Sequence, residues 1–254
     1  MTKRRSALVL LLAGATVGAA WADEEFDKLK SQYDDALARW SEQRRRAAEA
    51  EPPGAVESPH PDREYYPRFK AYAEKRAGKS AALPALTWLL DGAGWMSEEE
   101  QRTEIRWIIQ RLQKSHAGDP ALKDALTSLG WMNELAGRDA VLPLYERVIA
   151  KNKDPDVRAM AALNTGRAYY TPPRGSDEGP ADDTRRAREL FGQVVRDYAG
   201  TEAAERAEGY VFEIDRLQIG MKAPDFRGTD GDEKEIKLGD FRGRVVVVDF
   251  WGFW

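Results

Sequence analysis

The 254-residue sequence contains no cysteine and only two histidines, His60 and His116. Without a thiol, these residues can form no disulfide, no cysteine-ligated metal site and no cysteine nucleophile. The two histidines are far apart in the sequence, so we expect neither a histidine-rich metal site nor another bound cofactor. Acidic and basic residues are nearly balanced, 43 against 39, which argues against a nucleic-acid partner.

Residues 1–22 have the three parts of a secretory signal peptide. Three basic residues at positions 3–5 precede a short apolar stretch, and Ala20-Trp21-Ala22 is a small-x-small cleavage site. The apolar stretch is too short for a comfortable membrane span. The alternative interpretation of residues 1–22 is an uncleaved N-terminal anchor. We therefore predict secretion across the inner membrane to the periplasm, with no stable membrane span after cleavage.

Residues 23–62 predict an N-terminal helix followed by a Pro-rich linker. Four prolines fall within 51–62, and His60 lies between two of them, where a solvated loop histidine is expected rather than a ligand. The helix is predicted from apolar residues that recur at intervals of three and four, which places them on one face: Phe26, Leu29, Tyr33, Leu37 and Trp40.

Two internal repeats make residues 63–218 a predicted helical-repeat domain. Segments 84–98 and 120–134 share eight of fifteen positions at an offset of 36, and the segment from Leu144 resembles the one from Leu190 at an offset of 46. Units of this length with helical periodicity are typical of stacked helix hairpins of the tetratricopeptide or HEAT kind. The second repeat loosely resembles the tetratricopeptide family.

Such a stack either offers a groove to a protein partner or only spaces the next domain. Four tryptophans in the helical pattern favour packing within or between repeats over an aromatic binding cleft: Trp88, Trp95, Trp107 and Trp131. Ser97 and Glu100 have the spacing of a capping box. A helix start therefore explains the three adjacent acidic residues Glu98, Glu99 and Glu100 better than a metal site does.

The pattern changes at Gly220. Asp230-Gly231 predicts the turn of a hairpin between two short extended stretches. Residues 238–243 predict a short turn or helix. Residues 245–250, with the sequence VVVVDF, predict a strand buried on both faces of a sheet.

Three blocks stand out in residues 219–254: Gly220, Ala223, Pro224, Asp225 and Phe226; then Leu238, Phe241 and Gly243; then Val248 to Trp254. Together they resemble the start of the thioredoxin-like fold, in thiol–disulfide oxidoreductases of the TlpA and ResA type and in the related redoxins (AhpC/TSA-related). The repeats and this resemblance together predict a mainly α fold class: tetratricopeptide-like helical-hairpin repeats, then the N-terminal β part of a truncated α/β thioredoxin-like fold.

The resemblance also implies roles for particular residues. Trp254 would directly precede the nucleophile of a Cys-x-x-Cys motif, and Trp251, Gly252 and Trp254 would contact the substrate. Asp249 would be a buried acid that accepts the proton of the resolving thiol, with a structural polar residue at a strand end as the alternative. The implied partners are disulfides of client proteins or a membrane thiol reductant, and the implied reaction is disulfide exchange or peroxide reduction.

The sequence stops one residue before the expected nucleophile. A fragmentary sequence, a frameshift or true stop, and a selenocysteine codon read as a stop would each explain this. The 254 residues alone should have no thiol–disulfide activity. The alternative function is a non-enzymatic interaction scaffold that binds a protein partner on its helical repeats.

Overall fold

The computed structural model of the protein describes residues 23–50, 54, 58–171 and 181–249. These residues are mainly helical, with a two-stranded sheet near the C-terminal end. The predicted class, mainly α with a small β part, is therefore confirmed. The predicted signal peptide lies outside the described residues. Within them, no helix combines the length and the apolar character that a bilayer crossing requires.

Within the described residues, three 3₁₀ turns and one π-helical turn lie between or after the α-helices. The α-helices are α1 (Glu24–Glu49), α2 (Asp62–Lys75), α3 (Leu83–Asp91), α4 (Glu98–Arg111), α5 (Lys123–Gly130), α6 (Asn133–Ala136), α7 (Arg138–Lys151), α8 (Pro155–Tyr170), α9 (Ala181–Asp197) and α10 (Glu202–Arg216). The strands are β1 (Arg227–Thr229) and β2 (Glu235–Lys237).

Helix α1 begins where the apolar stripe predicted it and packs on the same core as the later helices. The side chain of Asp23 caps its N-terminus and pairs with Arg76, at the end of α2, at 2.9 Å. Its apolar face meets α2 and α3, with the ring centroids of Phe26 and Phe69 5.9 Å apart. Phe69 in turn stacks on Trp88 at 3.9 Å. An aromatic cluster therefore joins the first three helices.

The capping box that starts α4 is confirmed. The Ser97 hydroxyl accepts a hydrogen bond from the Glu100 amide, and the Glu100 carboxylate accepts one from the Ser97 amide at 2.8 Å. Each bond satisfies an amide that has no partner inside the helix. The helix buries an apolar face through Ile105 and Ile108, and Leu112, directly after its last residue, is buried as well. The acidic run is thus a helix start.

The two sequence repeats correspond to repeated pieces of structure. The first pair of segments contributes α3 and α5, which pack against each other. The second pair falls on α7–α8 and α9–α10, and matched positions are fully buried in both copies: Tyr145 with Phe191, and Val148 with Val194. The helix pairs α7–α8 and α9–α10 are consistent with stacked helical hairpins, while their assignment as tetratricopeptide-like repeats stays a prediction.

Helix α8 lies at the centre of the molecule, in contact with α5, α7, α9 and α10. It can approach several neighbours because its buried positions include small residues such as Ala159, Ala161, Gly166 and Ala168. The approach is very close at Gly166, where an added Cβ would lie 2.5 Å from the ring of Phe191 in α9. A side chain at this position would collide with a fully buried ring.

Buried amide side chains cross-link the helices around α8. Asn164 donates to the carbonyl of Leu126 in α5 at 2.6 Å. Asn133 donates to the carbonyl of Asn164 at 3.1 Å and accepts from the Tyr145 hydroxyl at 2.6 Å. These bonds supply partners to polar groups that would otherwise be costly to bury.

The packing role predicted for the four tryptophans holds for Trp88, Trp95 and Trp107, which are partly buried against the core. It is wrong for Trp131, whose side chain is 65% exposed. Trp131 directly follows α5, at the C-cap position of the helix. The backbone turns there toward α6, so the indole leaves the apolar face of the helix and lies on the surface.

We predict that Gly166→Ala destabilises the fold by about 1–3 kcal/mol, because the new methyl group overpacks the α8–α9 contact. Gly209→Ala is the matched control, since Gly209 is also helical but an added Cβ there would meet no atom within 4 Å. That change should stabilise the protein by about 0.5–1 kcal/mol. Urea unfolding measures both, and equal effects at the two positions would contradict the packing argument.

The single fully buried histidine of the described residues is His116, at the end of the π-helical turn Leu112–His116. Burial lowers its pKa, although Asp119, with its carboxylate oxygen 3.8 Å from Nδ1, acts in the opposite direction. The folded protein therefore binds a proton at this position less readily than the unfolded chain does, whose histidines titrate near about pH 6.5.

We predict that His116 lowers the free energy of unfolding as the pH falls through about 6.5, because only the unfolded state then gains the proton. The slope for one proton is at most about 1.4 kcal/mol per pH unit. Urea unfolding between about pH 7.5 and 5 measures it across the range where histidine titrates. The slope should flatten in His116→Gln and persist in His60→Gln, which keeps His116; an unchanged slope in His116→Gln would contradict the prediction.

Candidate functional site

The C-terminal segment 219–249 carries the first two motif blocks and part of the third. Its hairpin is present as predicted, with β1 and β2 antiparallel and Arg227 paired with Lys237. The loop between the strands is organised by Asp230, whose carboxylate accepts from the amides of Asp232 and Lys234, each at 2.9 Å. An aspartate in this position stabilises the turn through its own side chain.

The first two motif blocks meet at Asp225. Its carboxylate accepts a hydrogen bond from the amide of Gly239 at 2.8 Å. One residue further on, the carbonyl of Phe226 accepts from the amide of Leu238 at 3.1 Å. Residues Leu238–Phe241 form a 3₁₀ turn, which confirms the predicted turn or short helix. These two hydrogen bonds hold the first motif block against the second, which gives the spacing between the two blocks a local structural reason.

The glycine in this contact has a steric reason. A Cβ added at Gly239 would lie 3.2 Å from a carboxylate oxygen of Asp225. That separation is tighter than ordinary van der Waals contact. The absence of a side chain therefore lets the turn approach the Asp225 carboxylate closely enough for the hydrogen bond.

The predicted strand at 245–250 does not form over its described residues, 245–249. Val245 and Val247 are 96% and 87% exposed, while Val246 and Val248 are 43% and 47% exposed. The side chains thus alternate between a more and a less exposed side, but no described strand pairs with the segment. A strand buried on both faces needs neighbouring strands and covering helices, and the described residues supply neither.

Asp249 is exposed, and no hydrogen bond or ion pair joins it to another described residue. The predicted burial of this carboxyl is therefore not found, since the chain around it is uncovered. Its role as a proton acceptor stays a prediction. The predicted substrate-contacting residues Trp251, Gly252 and Trp254 lie outside the described residues.

A groove with a volume of about 720 Å³ separates the end of α10 from the motif segment. Phe212 and Arg216 line it on the helix side, and Pro224, Phe241 and Val246 line it on the other. Its charged lining residues are mostly basic, with Asp225 already engaged by Gly239. The groove offers apolar and cationic surface, but its described lining holds no side chain able to act as a nucleophile toward a disulfide.

No cluster of three or more potential metal ligands occurs among the residues that the structure describes. The acidic residues near Ser97 cap a helix, and His60 stacks edge-on against Trp40 with ring centroids 4.5 Å apart. The acidic residues near Ser97 and the ring of His60, which could have suggested a metal site, therefore have structural roles.

Comparison with known proteins gives short but clear similarities. The chain is 43% identical over 47 residues to the thiol-disulfide oxidoreductase ResA of Bacillus thuringiensis subsp. konkukian, which is 18% of this chain and 27% of the relative. It is 58% identical over 36 residues to peroxiredoxin-2 of Rattus norvegicus, covering 13% and 18% of the two chains. ResA of Geobacillus thermodenitrificans is 42% identical over 38 residues, covering 15% and 22%.

The chain spans about a quarter of the length of the first of these curated relatives. No family model matches the chain. No solved structure matches it either. The partial relatives support a thioredoxin-like protein of the redoxin and thiol–disulfide oxidoreductase kind. They carry no information on the helical repeats, on export or on the residue after Trp254.

We predict that Asp225→Ala speeds hydrogen exchange of the Gly239 amide by about three- to tenfold, because that amide loses an acceptor of ordinary strength. Amide exchange followed by NMR measures the effect at this one position. Asp232→Ala is the matched control, since Asp232 is an exposed acid of the same segment whose side chain does not accept from Gly239. Equal exchange rates in the two variants would show that Asp225 does not hold the two blocks together.

Proposed function

We propose that this chain belongs to an exported, thioredoxin-like thiol–disulfide oxidoreductase or redoxin whose substrates are disulfides of client proteins. The observation that carries the proposal is the partial identity to thiol-disulfide oxidoreductase ResA. The contact between Asp225 and Gly239 supports it, because it joins two of the three motif blocks on which the resemblance is based.

The chemistry of the proposal requires a chalcogen directly after Trp254. At the N-terminus of the helix that follows the strand, the helix dipole lowers the pKa of a thiol and favours its nucleophilic form. That thiolate attacks a client disulfide to give a mixed disulfide, and a second thiol resolves it. Asp249 accepts the proton of the resolving thiol. A selenol in the first position would perform the same attack.

The 254 residues alone are inactive in this proposal, because they include no cysteine. A membrane thiol reductant supplies the electrons, and Trp251, Gly252 and Trp254 contact the client around the reacting disulfide. Residues 1–22 direct the protein across the inner membrane. A peroxide is the alternative oxidant, as the partial identity to peroxiredoxin-2 suggests.

The first test is to read the nucleotides that follow the codon for Trp254. We expect a cysteine codon, or UGA as a selenocysteine codon, followed in frame by a sequence such as Gly-Pro-Cys. A different codon, or no such sequence in frame, would remove the basis for placing the nucleophile there.

The second test is an insulin reduction assay on the protein with its downstream frame included. Replacement of the first chalcogen by Ser should abolish turnover, and Asp249→Asn should slow it by about 100-fold, as expected for loss of proton transfer. Asp240→Asn is the matched control, because this carboxylate accepts from the Lys237 amide at 3.3 Å and lies outside the proposed chemistry. No turnover with both catalytic positions intact would overturn the enzymatic proposal.

A second candidate function is a non-enzymatic scaffold that binds a protein partner through its helices. The observation that favours it is the distribution of the core. The buried apolar core of the described residues runs from Leu29 to Ile214 and includes no residue of the segment after α10. The helices can therefore form a binding surface that needs no contribution from the redox segment.

A further inference from the structure

A small cavity lies where α5 ends, beside the C-terminal half of α8 and the middle of α10. It has a volume of about 240 Å³. This is below the roughly 300–1,000 Å³ of pockets that hold drug-sized ligands, and it suits a single side chain or a chain terminus. Its principal lining residues are Trp131, Asn133, Glu134, Arg167, Tyr170 and Tyr210.

Arg167 is an unusual residue for a protein interior. It is only 7% exposed, and no other Arg, Lys, Asp or Glu of the described residues is buried to this degree. Buried charges in proteins are normally paired. Even the half-buried Arg138, whose guanidinium bonds to the carbonyl of the neighbouring residue Ala168, pairs with Asp183 at 2.6 Å. Arg167 has no ion pair within the described residues, and no carboxylate is among the groups that influence its charge.

The surroundings of Arg167 add to this imbalance. Burial lowers the pKa of the guanidinium, and the like charge of Arg206 lowers it further, while the Tyr210 hydroxyl opposes both. Arg167 lies 4.1 Å and Arg206 lies 5.9 Å from the ring centroid of Trp131. The two cations thus converge on one indole. Arg206 pairs with Glu202 at 3.7 Å, so a bound anion would supply the partner that Arg167 lacks among the described residues.

The backbone makes room for this arrangement. A Cβ added at Gly130 would lie 2.5 Å from a terminal nitrogen of Arg167. The side-chain oxygen of Asn164, buried beside the same glycine, has no hydrogen-bond donor among the described residues. A glycine is therefore needed at the end of α5 if the guanidinium is to lie beneath the exposed indole.

We propose that this cavity binds a carboxylate of a partner protein, held by Arg167, with Arg206 on the same indole as a second, more distant cation and the adjoining apolar chain lying on Trp131. A planar guanidinium offers paired donors that match the two oxygens of a carboxylate. Glu134 at the rim, which already has a partner of its own, disfavours a doubly charged phosphate more than a singly charged carboxylate. An exposed tryptophan beside a buried arginine is also the composition of strong contact points in protein interfaces.

This inference deepens the second candidate function and involves no redox chemistry. Binding can therefore fail while the oxidoreductase proposal stands, and the reverse is equally possible. The carboxylate can come from an acidic side chain or from the C-terminus of a chain. Short peptides that carry one or the other distinguish these two sources.

The test is an NMR titration of the full 254-residue chain that follows the indole N–H of Trp131, assigned from its loss in Trp131→Phe. The probes are acetyl-Ala-Glu-Ala-amide, acetyl-Ala-Gln-Ala with a free C-terminus, acetyl-Ala-Gln-Ala-amide and inorganic phosphate. We expect at least one carboxylate peptide to bind with a Kd on the order of 1 mM. The uncharged peptide should cause no saturable shift.

Arg167→Gln should weaken that binding at least tenfold, because the charged donors of the site are lost. Arg206→Gln, at a more exposed position, should weaken it about threefold and keeps the test valid if the first variant does not fold. Arg111→Gln is the matched control and should leave Kd unchanged. Arg111 also stacks on a tryptophan, Trp107, at 3.4 Å, and like Arg206 it has a carboxylate partner, Glu74 at 3.8 Å, but it does not lie beside Trp131.

Three results would overturn the proposal. The first is equal binding of the charged and uncharged peptides, and the second is unchanged binding in both Arg167→Gln and Arg206→Gln. The third is phosphate binding more tightly than either carboxylate, which would assign the site to a different class of ligand. No saturable shift with any probe up to about 20 mM counts against it in the same way, since it excludes the expected affinity.

Discussion

The close packing of α8 is the constraint on which the rest of the helical structure depends. Helices α5, α7, α9 and α10 all contact it. They can pack closely because small residues such as Ala161 and Gly166 let the neighbouring helices approach the backbone of α8. Between its two ends, α8 has one half-exposed face, formed by Arg158, Ala162, Thr165 and Tyr169. Polar residues at its other positions are buried and must find partners in the interior. Asn164 does this by donating to the carbonyl of Leu126.

Arg167 follows from the same constraint with a different outcome. It belongs to the last turns of α8, where neighbouring helices still cover the side chain but an opening remains toward Trp131. Its guanidinium is thus withdrawn from water and still accessible from one side. The central helix of the fold therefore also determines where the helical part can recognise a charged group.

Much of the helical structure could be predicted from the sequence because its signals are local or periodic. The stripe of α1, the capping box at Ser97 and the hairpin at Asp230 all depend on residues a few positions apart, and each is found in the structure. The repeats also predicted which helices resemble one another. The partial relatives independently support the thioredoxin-like resemblance at the coarse level.

The predictions that were wrong concern whether a side chain is buried by its neighbours in the fold. The periodicity of the sequence does not report this. Trp95 and Trp131 occupy matched repeat positions, but Trp95 lies 6.2 Å from Tyr66, whereas Trp131 is left at the surface among arginines. The burial of Arg167 had no signal in the sequence, because arginines occur throughout it. Asp249 was expected to be buried because the thioredoxin-like resemblance implies a buried acid at this position, and the cover that such a fold would provide is not among the described residues.

The valines at 245–248 give the segment a property that concerns association between molecules. Four adjacent β-branched residues with exposed faces, whose backbone groups pair with no other described residue, form a template on which another extended chain can add. Charged residues flank this template, with Arg242 and Arg244 before it and Asp249 after it. Such charges act as gatekeepers, since parallel in-register stacking would bring like charges of neighbouring molecules together. In a concentrated solution, these three side chains oppose the aggregation that the valines favour.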